Sequence, residues 1–96
     1  MKTNADHREA VLEMLEDRGW QWQDDFIYAP NKMLWLNKDL DFGTLKEFHK
    51  RFYERLAKMK AIMPEPQYEP VYRQVVDDNE SLVNVLSELL EKENGS

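Results

Sequence analysis

His7 and His49 are the chain's only imidazoles, and it has no cysteine. Disulfides and thiolate zinc sites are therefore excluded, and neither histidine lies in a local catalytic pattern such as HExxH. His49 falls at the margin of an apolar helical stripe, where a core-edge role is the ordinary one. His7 falls in the first turn of a helix, where a surface position is expected. Oxygen ligands recur at alternate positions in Asn37-x-Asp39-x-Asp41-x-Gly43, but the glycine comes one place late for an EF-hand loop and Phe48 stands where the bidentate glutamate belongs. Asp77-x-Asn79-x-Ser81 does carry Glu88 at the right distance, yet Leu82 replaces the glycine and the ligands run into an apolar helix. No metal or cofactor is expected. The enzymatic alternative reduces to Asp39, Asp41 and His49 acting together.

Charge offers a second kind of chemistry. The net charge is -6, but residues 44–60 hold six basic side chains against two acidic ones, a local +4, so the remainder carries -10. The overall sign disfavours nucleic acid as a ligand. The basic side chains flank an apolar stripe on both sides, Arg51, Arg55 and Lys58 on one and Lys46, Lys50 and Lys60 on the other, so ion pairs with the acidic neighbouring helices are the expected use. Glu9, Glu13, Glu16 and Asp17 crowd one side of the first helix. Like charges four residues apart mildly destabilise a helix, so this ridge is a candidate for steering a basic partner.

The third candidate is aromatic. In GWQWQDDFIYAPNKMLWLN (19–37), side chains alternate and turn residues punctuate the run, the pattern of a three-stranded antiparallel meander. Turns at Asp24-Asp25 and Asn31-Lys32 pair Trp22 with Ile27, Trp20 with Ala29, Ala29 with Leu34 and Ile27 with Leu36. That register puts Trp20, Trp22, Ile27, Ala29, Leu34 and Leu36 on one face and Gln21, Gln23, Phe26, Tyr28, Met33 and Trp35 on the other. The first set is a core. Phe26, Tyr28, Met33 and Trp35 are too apolar for a wet face unless something docks there, and the last helix folding back over them is the competing expectation.

The elements that position these residues follow from periodicity and caps. Asn4 or Thr3 caps a first helix over about 5–18, ended by Gly19, with Val11, Leu12, Met14 and Leu15 inward. Thr44 and Glu47 form a capping box for a second helix reaching about Met63, striped by Leu45, Phe48, Phe52, Leu56, Met59 and Met63 and stopped by Pro64. PEPQYEP is an extended connection. Residues 71–76 read as a short fourth strand or as helix launched by Pro70, with helix preferred. A final helix runs from Asp78 or Asn79 to about Glu91 on a wide apolar band, and 92–96 fray.

With 96 residues and 42% hydrophobic content, the chain makes one domain. Neither an apolar signal region nor a bilayer-length apolar run is present, so a cytoplasmic protein without membrane partners is expected. The expected class is α+β, a meander packed on helices in the order α-β-β-β-α-α. The expected function is a small acidic, non-enzymatic interaction module of unknown pathway. It would bind a protein partner, or a second copy as a homodimer, through Phe26, Tyr28, Met33 and Trp35, assisted by Glu9, Glu13, Glu16 and Asp17. The alternatives are an inhibitor, immunity-like or nucleic-acid-mimicking protein for a basic partner, and the small enzyme or metal protein named above.

Overall fold

A computed structural model describes residues 3–95 and contains α1 (Asn4–Asp17), β1 (Gln21–Gln23), β2 (Phe26–Tyr28), β3 (Trp35–Asn37), α2 (Leu45–Ala61) and α3 (Glu69–Gly95). The order is α-β-β-β-α-α, an α+β fold. Thr3 caps α1 through a reciprocal pair, its hydroxyl accepting from the Asp6 N–H at 3.1 Å and its own N–H donating to Asp6 Oδ2 at 3.0 Å. The helix closes in a Schellman arrangement, with the Gly19 N–H donating to Glu16 O and the Trp20 N–H to Leu15 O, both at 3.1 Å. That closure requires the left-handed backbone of Gly19, at φ 92°.

The three strands form one sheet in the order β1-β2-β3. Trp22 pairs with Ile27 and Ile27 with Leu36, the register that alternation implies. The Ala29 N–H donates to Leu34 O at 2.9 Å and the Lys38 N–H to Asp25 O at 2.8 Å, so the β2–β3 ladder extends past the strand ends in the same register. Asp24 (φ 56°) and Lys32 (φ 60°) take left-handed backbone where each connection reverses.

Thr44 caps α2 by accepting from the Glu47 N–H at 3.1 Å. The helix stops at Ala61 rather than near Met63, because Ile62 is already extended (ψ 134°) ahead of Pro64. PEPQYEP is extended only at first; a turn occupies 66–68 before α3 begins.

α3 decides one alternative, in favour of the preferred helix, and corrects one boundary. It is one helix of 27 residues, so 71–76 is helical and no fourth strand forms there, and it runs to Gly95 instead of ending near Glu91. Pro70, second in the helix, needs no donor at that position, and the Tyr72 N–H closes the first turn on Tyr68 O at 2.9 Å. Once started, the helix continues through the β-branched stretch because each added residue gains a backbone bond at low cost.

One buried cluster joins Val11, Leu12 and Leu15 of α1, Ile27 and Leu36 of the sheet, Phe48, Phe52 and Leu56 of α2, and Leu82, Leu86 and Leu89 of α3. α3 is the hub, packing against both other helices. Phe42, Phe48 and Phe52 stack in succession, with centroids 4.9 and 4.8 Å apart.

Candidate docking surface

The sheet buries one face and leaves the other open. Ile27 is fully buried and Ala29 and Leu36 nearly so, whereas Trp35 on the opposite face is 54% exposed and Phe26 37%. Tyr28 and Met33 are half-buried, and the Tyr28 and Trp35 rings meet at 6.0 Å between centroids. α3 does not fold back over this face. It lies under the sheet on the other side, where the Trp20 indole N–H donates to Ser81 Oγ at 3.0 Å.

Asp78 fixes that attachment. Its side chain is 1% exposed on α3, and its carboxylate accepts from the Asn31 N–H at 3.2 Å, Asn31 Nδ2 at 3.0 Å and the Met33 N–H at 2.8 Å. A buried carboxylate that accepts three donors is satisfied, and here it holds the β2–β3 connection to the helix. The loop bearing Met33 and leading into Trp35 is thereby set by a residue on another element. Asp78 has the residue type of a helix start, but it lies mid-helix and serves a partner more than 40 residues away.

Trp22 departs from its expected place. Although it shares a face with Ile27, it is 39% exposed, because β1 is an edge strand beside the last turn of α1 and the helices cover it only partly. Its indole N–H donates to Glu16 Oε1. The acidic ridge and the sheet ribbon therefore meet at the Glu16–Trp22 contact. Glu9, Glu13, Glu16 and Asp17 are all exposed.

Few of the ion pairs expected of α2 form among the described residues. Among the described residues only Lys60 pairs with another helix, at 2.7 Å from Glu80, while Lys46, Lys50, Arg51, Arg55 and Lys58 are in none of the ion pairs. Arg55 instead places its guanidinium 5.7 Å from the centroid of the Phe52 ring.

The residues of the enzymatic alternative do not assemble. Asp41 accepts from the Gly43 N–H at 3.1 Å and the Asp39 N–H donates to Asn37 Oδ1 at 2.8 Å, which is local turn chemistry. His49 points elsewhere, with Nε2 2.8 Å from Ser87 Oγ, into an open cavity of about 490 Å³ that His7, Lys46 and Glu93 also line and that Asp39 and Asp41 do not. Among the described residues no three His, Asp or Glu side chains converge as a metal site would need. The segment Asp77–Glu88, considered as a calcium loop, is uninterrupted helix.

A second apolar exposure lies at the α2–α3 connection, where Ile62, Met63, Tyr68 and Val71 face solvent. No helix among the described residues is long and apolar enough to cross a membrane. In comparisons with family models, curated proteins and solved structures, nothing matches this chain.

Proposed function

We propose that this chain is a non-enzymatic protein-binding module that docks its partner on the outer sheet face, through Phe26, Tyr28, Met33 and Trp35, with the α1 carboxylates assisting. The observation that carries the reading is that, among the described residues, no helix closes over this aromatic face, where Trp35 and Phe26 stay exposed. Clustered aromatics and a methionine yield free energy on burial at small entropic cost, which is why such side chains are enriched at interfaces. Asp78 adds preorganisation, since a loop already held in place loses little freedom when a partner arrives. The exposed turn residue Asp24 puts a negative charge two residues from Phe26, and the exposed α1 carboxylates add to the acidic surroundings. The complementary surface has an apolar centre and a basic margin.

The test is binding of a purified partner, recovered with the full chain as bait and then reconstituted. Trp35→Ala is expected to weaken that pair at least tenfold while leaving the circular dichroism spectrum unchanged, and raised salt to weaken it further by slowing association. Equal affinity for the wild type and Trp35→Ala would overturn the reading. Binding lost to salt alone would favour the acidic-inhibitor alternative.

A further inference from the structure

Two charged tracks on different helices have the same spacing and opposite sign. On α1, Glu9, Glu13 and Glu16 follow one another at steps of four and three, and on α2 so do Arg51, Arg55 and Lys58. Each track is a line about 10 Å long on one side of its helix, from the 1.5 Å rise per residue. All six side chains are exposed. Among the described residues none of the six belongs to an ion pair; the pairs that form are His7–Glu93, Arg18–Glu88, Lys38–Asp25, Lys60–Glu80 and Arg73–Glu69. The tracks do not meet within the subunit, where α3 packs against both helices.

We propose that the basic track of α2 is the docking site for the acidic ridge of α1 in a second copy of this chain. The inference rests on the ridge being the electrostatic part of the docking surface proposed above, and it names that ridge's partner. Three observations favour a second copy. The steps match residue for residue, so three cations face three carboxylates when the helices lie side by side. The acidic ridge carries like charges one turn apart, a strain on α1 that an opposite track relieves. One member of each is already held by an aromatic ring, Arg55 over Phe52 and Glu16 by the Trp22 indole, so less side-chain freedom is lost on docking.

Nucleic acid fits the basic track less well. The track is only three cations long, and Glu47 and Glu54 share its helix, so a polyanion finds no continuous basic line there. Such a contact closes as a two-fold dimer when both α1–α2 pairs form at once; when only one forms, the pair keeps one free track of each sign and assembly continues to a ring or an open chain.

Sedimentation velocity on the full chain, in about 20 mM and about 500 mM salt, tests this, because the higher concentration screens exposed charges beyond a few ångströms. The expected result is concentration-dependent association at low salt, at least tenfold weaker at high salt. The double reversals Arg51→Glu/Arg55→Glu and Glu9→Lys/Glu13→Lys should each be monomeric alone and associate when mixed. Circular dichroism on each variant checks that these surface changes leave the fold intact. A monomer at low salt, or reversals whose mixture stays monomeric, would overturn the inference. Association that ignores salt and both reversals but disappears with Trp35→Ala would overturn it too, and would leave the aromatic-face reading standing.

Discussion

The inner and outer faces of the sheet are made from the same nine strand residues and the same hydrogen-bonded ladder, yet they end in opposite environments. Inside, Ile27 and Leu36 are compact aliphatic side chains pressed into the helix layer. Outside, Phe26, Tyr28 and Trp35 are broad rings, and solvent reaches Trp35 over more than half its surface. Hydrophobicity alone does not separate the two sets. What separates them is which set the helices reach, and that is decided by Trp20 and Asp78, the hydrogen-bonded ties between ribbon and α3. An apolar side chain is core only when another element is delivered to it.

Substitutions on the two faces sharpen this contrast. Ile27→Ala empties a fully buried site and is expected to destabilise the fold by about 3 kcal/mol, read as a lowered urea midpoint with unchanged slope. A loss under about 1 kcal/mol would mean that the ribbon is not packed on the helices as described. Asp78→Ala comes next, at roughly 2 kcal/mol, because the Asn31 and Met33 amides lose a charged acceptor. Its checkable signature is faster hydrogen exchange at Met33 before α3 itself opens. Trp35→Ala should cost less than about 1 kcal/mol despite deleting the larger side chain. A larger loss would show that the outer face is part of the core.

Much of the fold is legible in the residues themselves. Alternation plus two turns of fixed length leave only one strand register that keeps Ile27 and Leu36 on the same side, and that register is observed. The caps at Thr3 and Thr44 and the stop at Gly19 are local signals with local causes. Two helix ends lie a few residues from where local signals put them, and the larger departures are long-range. Residues 71–76 admit strand or helix, and they take the preferred helix, continuous with the one that follows. Asp78 and Asn79 look like capping residues, and no local pattern reveals that one accepts from a loop near residue 31. The α2 cations have acidic neighbours in the sequence but find few of them in space.

The candidate surface divides the same way. Which side chains share the outer face follows from the two-residue period, whereas its openness depends on where a 27-residue helix comes to rest. Trp22 falls between these cases. Its face was readable, but its partial exposure at the edge strand was not.

Trp20 is buried with its N–H on Ser81, Trp22 sits half in water beside Glu16, and Trp35 stands on the open face. Three chromophores thus occupy three settings, each tied to a different junction of the molecule. Emission from Trp20 follows the bond between ribbon and long helix, while Trp35 senses whether solvent or another surface lies against the sheet. The chain carries its own optical gauge of the difference between its two faces, and it needs no added dye.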